Sequence, residues 1–334
     1  MEESARPVAR HGVVAGRFLP PHAGHVDLIE RARARVERLT VMCAAREGDP
    51  IDVALRLRWL RELFVHAPNV TVDAIEEADG LRARSIASSA DVLFSCDDDA
   101  EVAGRLRARL VVLARRIDVV SSAVRAAPCA HWGSLPEPVR PFLAKRIVIT
   151  GPESTGKTTL AEQLAARYRT SWVPEFARGY LDEVNARRTV DAICLREDLD
   201  PIARGQIATE DEAASRANRA VFCDTDALST KIYAEHYFGE GACPPWIARL
   251  ARERRADLHL LLDVDVPWVP DPQRDRPQLR DELHAIWRRE LAAAGRRVVE
   301  IRGGWDERFA GAVSAVDEIL RLPIDSATPR GSNR

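Results

Sequence analysis

Short apolar runs alternate with longer amphipathic segments along most of the chain. The run "GVVAGRF" at 12–18 predicts a buried strand that ends in a turn. The segment after it, "AGHVDLIERARARVERL", spaces Val26, Ile29 and Val36 along one face of a helix. Because strands that alternate with helices form parallel βαβ units, this pattern predicts an α/β protein.

The alternation occurs twice, on either side of a proline-rich connector. Before the connector, strands are predicted at "LTVMCAA", "VTVDAI", "ADVLFSC" and "RLVVLA". After it, they are predicted at "RIVIT", "SWVP", "AVFCDTD", "LHLLLDVD" and "RVVEIRG", with a long helix at about 199–219. The connector "AAPCAHWGSLPEPVRPFLAKR" contains four prolines, which exclude a long helix. We therefore predict two domains, at 11–143 and 144–323, with flexible tails at 1–10 and 324–334.

Composition narrows the class of protein. Hydrophobic residues make up 46% and charged residues 30% of the 334 positions, as in soluble globular proteins. No apolar run approaches the roughly 18 residues of a membrane span, and the polar N-terminus lacks a secretory signal, so we expect a cytoplasmic protein that binds no membrane. The net charge of −2 offers no general attraction to nucleic acid. The six cysteines are scattered singly, which predicts free thiols and no zinc site.

The segment "GPESTGKTT" satisfies the phosphate-loop pattern G-x-x-x-x-G-K-S/T after an apolar strand and before a helix. Lysine occurs only at 145, 157 and 231, so a lysine at the required place is informative. Lys157 is expected to reach the β- and γ-phosphates of a nucleotide, and Thr158 to bind Mg²⁺. The predicted nucleotide-binding residues of this motif are Gly151, Glu153, Ser154, Thr155, Gly156, Lys157, Thr158 and Thr159.

Polar residues follow the neighbouring predicted strands, at the edge of the sheet where ligands of open α/β proteins collect. Asp224 and Asp226 follow "AVFC"; one of them is expected to hold Mg²⁺ through water, although Asp226 could instead cap the next helix. Glu175 is a candidate base for an attacking hydroxyl, and Arg178 could stabilise transferred charge. A surface ion pair is the alternative for these two residues.

A charged, proline-rich loop follows the strand "LHLLLDVD". Its arginines suit a lid that closes over phosphates, and a solvated run of charge is the alternative. The arginines are Arg274, Arg276 and Arg280.

A second unusual turn lies between the first strand and its helix. "GRFLPPHAGH" places His22 and His25 three residues apart at a predicted helix start. The imidazoles could cap the helix and form only local hydrogen bonds, or they could bind a transferring phosphoryl group and its departing pyrophosphate. Metal binding is disfavoured because no third His, Cys or carboxylate ligand is evident nearby. Spacing alone leaves the first two alternatives open.

A family resemblance favours the phosphoryl-binding alternative. "GRFLPPHAGH" resembles the G-x-F-x-P-x-H-x-G-H signature of the nucleotidyltransferase superfamily. The same signature followed by "GPESTGKTT", "VPEFAR" and "DTD" in one chain resembles the bifunctional NadR family, over about residues 11 to 322. The resemblance implies an N-terminal Rossmann-like nucleotidyltransferase sheet and a C-terminal P-loop kinase sheet with helices on both faces.

In the first domain, the resemblance implies that His22 and His25 engage the α-phosphate and the departing pyrophosphate of ATP. The family's second triphosphate-binding signature corresponds to "VVSSAVR", which keeps its arginine and one hydroxyl. Arg17 stands where the family usually has lysine, which keeps the positive charge but changes its geometry. The other nucleotide-binding residues implied here are Gly16, Arg17, Phe18, Ser122 and Arg125.

In the second domain, the resemblance implies catalytic roles for a set of charged residues. Thr158 and Asp224 are the implied Mg²⁺ ligands, and Asp226 is implied to contact substrate. Trp172 could stack on a nicotinamide ring, with a place in the core as the alternative. The implied catalytic residues are Lys157, Glu175, Arg178, Asp224 and Arg274.

The resemblance therefore predicts a bifunctional NAD salvage enzyme. With ATP and Mg²⁺ it would phosphorylate nicotinamide riboside to nicotinamide mononucleotide (NMN) and adenylylate NMN to NAD with release of pyrophosphate. The alternative is an active kinase whose first domain is a weakened adenylyltransferase or an NAD-sensing module. The expected partners are these small molecules, and a homo-oligomer is compatible with the sequence. Because the first strand is predicted to begin near residue 12, we expect no repressor helix-turn-helix of the kind found in enteric members.

Overall fold

A computed structural model of the chain describes residues 9–76, 90–189, 192–254, 256–271, 273 and 277–324. The described chain forms two compact units. The first contains the residues up to Phe142 together with those from Leu322 onward, and the second is Leu143–Arg321. None of the helices in these ranges has the length and hydropathy that a membrane span requires.

The first unit is built on a five-stranded parallel sheet in the order β3-β2-β1-β4-β5. Its strands are β1 Ala9–Gly16, β2 Val36–Ala45, β3 Val70–Glu76, β4 Val92–Ser95 and β5 Arg109–Val112. Its helices are α1 Ala23–Arg33, α2 Val53–Leu63, α3 Ala100–Leu106 and α4 Ser121–Ala126. After β3 the chain crosses to the other side of β1 and forms β4 there. The crevice where ligands bind in such sheets therefore opens at the carboxyl end of β1.

Successive side chains of β1 are buried on opposite faces of this sheet, as the two-residue period of a strand requires. Val14 packs among Val41 and Phe94 on one face. Val13 packs with Met42 and Leu93 on the other, against residues of α3. Because both faces are covered, the central strand reads as an uninterrupted apolar run.

The second unit is built on another five-stranded parallel sheet, in the order β10-β9-β6-β8-β7. Its strands are β6 Lys145–Thr150, β7 Trp172–Val173, β8 Ala220–Asp224, β9 Leu258–Leu262 and β10 Val298–Ile301. Its helices are α6 Lys157–Tyr168, α7 Phe176–Asn185, α8 Leu199–Ser215, α9 Ala227–Phe238, α10 Pro245–Glu253, α11 Arg280–Ala293 and α12 Trp305–Leu320. The predicted α/β class with parallel sheets is confirmed.

Some boundaries differ from the sequence predictions. The connector holds the short helix α5, Arg140–Leu143, a single turn with Pro141 at its second position. Arg10, which we assigned to a tail, lies in β1, and the backbone N–H of Ile324 donates to the carbonyl of Arg125 at 2.8 Å. The remaining tail residues, 1–8 and 325–334, lie outside the described residues. Helix α8 ends at Ser215, before the predicted end near 219, and the backbone leaves helical geometry at Arg216, where φ is −106° and ψ is 3°.

One buried arginine fixes the turn after β1 to the rest of its unit. Arg56 of α2 is 0% exposed, and its guanidinium donates to the carbonyls of Arg17 at 2.5 Å, Ala44 at 2.8 Å and Ile51 at 3.1 Å. It also pairs with Asp49 at 2.8 Å. These bonds join the end of β1 to the end of β2, so the position of the turn after β1 depends on them.

We therefore expect Arg56→Met to lower the free energy of unfolding by about 3 kcal/mol, because the buried carbonyls and Asp49 lose a charged donor. Urea denaturation followed by circular dichroism measures the change. Arg58→Met is the matched control, since Arg58 is exposed on the same helix and its loss should cost less than about 0.5 kcal/mol. Equal losses for the two variants would contradict the assignment.

Candidate active sites

The phosphate loop of the second unit connects β6 to α6. Gly151 has a φ of 134° and Gly156 a φ of 86°, both in the region that favours glycine. A Cβ on Gly151 would lie 2.8 Å from the carbonyl oxygen of Leu262, so a larger residue would not fit. The loop can therefore turn its backbone N–H groups inward at the start of α6, where a helix attracts anions.

The side chains of this loop are folded onto its own backbone. The Nζ of Lys157 donates to the carbonyl of Pro152 at 2.9 Å, and the hydroxyl of Thr155 donates to the same carbonyl at 2.8 Å. Phosphate oxygens are stronger acceptors for an ammonium group than a neutral carbonyl is. Lys157 is thus held beside the space that a β-phosphate would occupy.

Asp224 ends β8 next to this loop and accepts a hydrogen bond from the hydroxyl of Thr158 at 2.5 Å. Its other oxygen, Oδ1, is buried without a hydrogen-bond partner. Burial, reinforced by the negative charge of Glu175, raises the pKa of Asp224 to about 6, while Lys157 and Thr158 act in the opposite direction. The buried oxygen would gain stability from a cation.

The donor set fits Mg²⁺ when a nucleotide supplies the remaining ligands. Asp224 and Thr158 offer a carboxylate oxygen and a hydroxyl, which are the ligands that a P-loop protein provides. Within the described part of the chain, no group of three or more His, Cys, Asp or Glu residues is placed to hold a metal ion by itself. Phosphate oxygens and water would therefore complete the coordination.

Glu175 and Arg178 lie at the turn between β7 and α7. Glu175 occupies the N-cap position of α7, and both residues line the same cleft as Lys157. Arg178 pairs with Asp271 at 2.8 Å, so the ion pair that we gave as its alternative exists, but at the cleft. The structure brings together Lys157, Thr158, Glu175, Arg178 and Asp224.

The cleft encloses about 1170 Å³, including space open to solvent. Its phosphate side is formed by the loop and by the start of α6, from Glu153 to Thr159. The apolar part of its lining is formed by Leu181, Ile193, Cys194, Leu199, Ile202, Tyr233 and Tyr237. Charged and apolar linings in one cleft suit a ligand with a polar reacting group and a flat ring.

Gln206 of α8 joins the turn after β7 to the turn after β8, and it is a residue that our predictions missed. The side chain is 2% exposed. Its Oε1 accepts the backbone N–H of Phe176, next to Glu175, at 3.0 Å, and its Nε2 donates to the carbonyl of Thr225, next to Asp224, at 3.3 Å. No sequence motif signals this role, because a polar residue within a long helix is usually exposed.

Two other predicted residues, Asp226 and Trp172, do not join this cluster. Asp226 caps α9 by accepting the N–H groups of Leu228 at 3.0 Å and Ser229 at 3.2 Å, and its second oxygen bonds His259 at 3.2 Å. Its carboxylate is therefore engaged inside the protein, as our capping alternative describes. Trp172 is half-buried in β7 and is not among the residues that line the cleft. Arg274 and Arg276 lie outside the described residues.

The histidine turn of the first unit follows the central strand β1. His22 occupies the N-cap position of α1, and its ring stacks on that of His25 with centroids 3.7 Å apart. Phe18, with a left-handed φ of 47°, meets the His25 ring edge-on at 4.9 Å. The backbone N–H of His22 donates to Nδ1 of His25 at 3.3 Å. Neutral His25 therefore carries its proton on Nε2.

Both imidazoles are neutral near pH 7. Burial, with the positive charges of Arg115 and His131, lowers the pKa of His22 from 6.5 to about 4. Burial and the neighbouring His22 lower the pKa of His25 well below its ordinary value. The pair can therefore offer hydrogen bonds, but positive charge at this turn must come from arginine.

The predicted second signature contributes to this turn through Ser121. The Oγ of Ser121 lies 3.2 Å from Nε2 of His22, whereas Ser122, the residue that we selected, is exposed at the next position of α4. Arg125 donates to the carbonyl of Leu19 at 2.8 Å, and Arg17 pairs with Asp49. The structure thus places "GRFLPPHAGH" and "VVSSAVR" in contact, through the hydroxyl of Ser121, the first residue of α4.

Comparisons with known proteins identify relatives of this chain. A cytidylyltransferase-like family matches residues 13–132, and an AAA domain family matches residues 146–308. The trifunctional NAD biosynthesis/regulator protein NadR of Escherichia coli is 30% identical, and the alignment covers 92% of this chain and 83% of that protein. This chain belongs to the NadR family.

Two solved structures of NadR proteins share the fold over both units. One is a complex with NR, with a TM-score of 0.79, and the other a complex with NAD and AMP-PNP, with a TM-score of 0.77. Each is 22% identical, and the likeness covers 96% of this chain and 99% of the other. The predicted family and the predicted pair of folds are confirmed.

The depressed pKa of His22 predicts how stability depends on pH. The unfolded chain binds a proton at His22 near pH 6.5 and the folded chain near pH 4, so stability is full above pH 6.5 and is lost as pH falls towards 4. His22→Asn removes this contribution. Urea midpoints of both chains at pH 7.5, 6 and 5 should converge as pH falls, and parallel curves would contradict a buried neutral imidazole.

Proposed function

We propose that this NadR-family chain makes NAD from nicotinamide riboside in two consecutive steps. The second unit transfers the γ-phosphoryl group of ATP to the 5′-hydroxyl of the riboside and forms NMN and ADP. The first unit joins NMN to the adenylyl group of a second ATP and forms NAD and pyrophosphate. The observation that carries the proposal is that the histidine turn and the phosphate loop each follow the central strand of a separate sheet.

In the kinase step, Glu175 accepts the proton of the riboside hydroxyl as its oxygen bonds to the γ-phosphorus and the bond to ADP breaks. Lys157 leaves the carbonyl of Pro152 to bind the β- and γ-oxygens. Thr158 and Asp224 hold Mg²⁺, which when bound neutralises charge on the phosphates. The apolar lining of the cleft accepts the nicotinamide ring, and Arg178 faces the transferred group.

In the adenylyl step, a phosphate oxygen of NMN bonds to the α-phosphorus of ATP, and pyrophosphate leaves. His22 and His25 donate hydrogen bonds to this triphosphate as neutral imidazoles. Arg17 and Arg125 supply the positive charge beside Gly16 and Phe18, where β1 ends. We expect this step also to need Mg²⁺ and both steps to take place in the cytoplasm.

The kinase-only alternative rests on the altered turn "VVSSAVR". The contact of Ser121 with His22 favours two activities, because the turn keeps a hydroxyl at the histidine pair despite the exposed position of Ser122. Arg125 keeps the cation of the signature beside Leu19.

We expect Lys157→Ala to lower formation of NMN from nicotinamide riboside at least about 100-fold, because transferred charge loses its ammonium partner. Conversion of supplied NMN to NAD should remain within twofold of the wild type, which also reports that the chain is folded. Riboside-dependent release of ADP measures the first step. Arg167→Ala, at the exposed far end of α6, is the control and should affect neither step. Loss of both activities in Lys157→Ala would argue against separate sites.

We expect the converse result for His25→Ala. NAD formation from supplied NMN should fall at least about 100-fold because the α-phosphate loses a positioned donor, while riboside phosphorylation continues. Chromatography of NMN and NAD measures both steps. His66→Ala, an exposed histidine of the same unit, should leave both rates unchanged. If the wild type forms no NAD from NMN, the first unit is not an adenylyltransferase and the kinase-only alternative holds.

A further inference from the structure

Trp305 is an exposed aromatic residue at the phosphate loop, and the proposed reaction gives it no role. It is the first residue of α12, directly after β10, and it is 57% exposed. Among the described residues, the other large apolar side chains that are more than a third exposed are valines and an isoleucine. Exposure of so large a ring costs solvation free energy, so a ligand that covers it would be stabilised.

The indole ring packs directly on the phosphate loop. A Cβ placed on Gly156 would lie 2.5 Å from Cζ3 and 2.9 Å from Cη2 of Trp305. The ring therefore meets the backbone of the residue that precedes Lys157. A group attached to phosphates in the loop would lie within reach of the exposed part of the ring.

Arg308 fixes this ring relative to the loop. Its guanidinium is 2% exposed and donates to the carbonyl of Thr155 in the loop at 3.0 Å and to that of Gly303 before α12 at 2.9 Å. It also lies 5.9 Å from the centre of the Trp305 ring. The loop and the start of α12 are thus joined by buried hydrogen bonds, so the exposed ring needs little ordering when it binds a ligand.

The strand order places the acceptor cleft and Trp305 on opposite sides of the phosphate loop. The loop follows β6, and the catalytic residues Glu175 and Asp224 follow β7 and β8 on one side of it. The apolar cleft lies on that same side. Trp305 follows β10, on the opposite side. A nucleotide whose γ-phosphate points towards Asp224 must extend its nucleoside away from the acceptor cleft, and Trp305 lies in that direction.

We propose that Trp305 is the stacking surface for the purine base of the phosphoryl donor. This inference rests on the proposed kinase activity of the second unit. Stacking on a flat ring reads the face of a base and not its hydrogen-bonding edge. The site should therefore accept adenosine and guanosine triphosphates, and it should bind cytidine triphosphate, with its smaller ring, more weakly.

The test compares the full-length wild-type chain with Trp305→Ala and Trp305→Phe, using riboside-dependent ADP release, to which the adenylyl step does not contribute. In Trp305→Ala the KM for ATP should rise about tenfold, with kcat and the KM for riboside within twofold. Trp305→Phe should restore most of the affinity. The preference for ATP over cytidine triphosphate should shrink in Trp305→Ala. Asp306→Ala, an exposed neighbour on α12, is the matched control.

Inorganic tripolyphosphate distinguishes base stacking from support of the loop. It has no base, so its inhibition constant against ATP should be the same in wild type and Trp305→Ala. An unchanged KM for ATP, or an inhibition constant for tripolyphosphate that rises as much as that KM, would overturn the proposal.

Trp305 fluorescence provides a readout that does not need turnover. ADP should quench this fluorescence. The quenching is measured as the difference between wild type and Trp305→Phe, and it should saturate with one ADP per chain. If the chain phosphorylates no riboside yet shows this quenching, the proposed acceptor is wrong and the stacking surface stands. If it phosphorylates riboside and shows no quenching, the stacking surface is wrong.

Discussion

Both sites depend on the same constraint at the carboxyl end of a central parallel strand. The strand is buried on both faces, so the chain must leave it through a turn at the sheet edge, and the next helix begins with backbone N–H groups that have no partner within the helix. The turn after β1 and the turn after β6 both meet this condition. An anion satisfies such groups, which is why each turn can bind phosphate.

The two turns differ in how they supply charge, and this difference corresponds to the bond that each would break. The loop after β6 carries an ammonium group beside the partly desolvated carboxylate of Asp224, a pairing that suits a metal-bound β,γ-phosphate. The turn after β1 carries two stacked neutral imidazoles, with arginines around them. Neutral donors suit the α-phosphate, because the pyrophosphate that departs from it carries its own charge away.

The sequence predicts the parts of each site that are local. The apolar runs predict all ten strands in order, and the phosphate loop is visible because glycine and lysine recur at fixed offsets. Contacts between distant elements are different: Ser121 reaches His22 across 99 positions, and Gln206 reaches Phe176 across 30, through packing that no local pattern encodes. The two aspartates of "DTD" also have different contacts that the local sequence does not predict. Thr225 has a left-handed φ of 69°, so the backbone turns between the two aspartates. Asp224 contacts the phosphate loop, whereas Asp226 caps α9.

The central claim is that one chain carries a γ-phosphoryl transfer and an α-phosphoryl transfer in series. The most direct test supplies the full-length chain with unlabelled nicotinamide riboside, Mg²⁺ and ATP that carries different phosphorus isotopes at its α and γ positions. NAD isolated from the reaction should contain the two isotopes in equal amounts, one from each ATP consumed. Labelled NMN that carries only the γ isotope, with no labelled NAD, would contradict the claim.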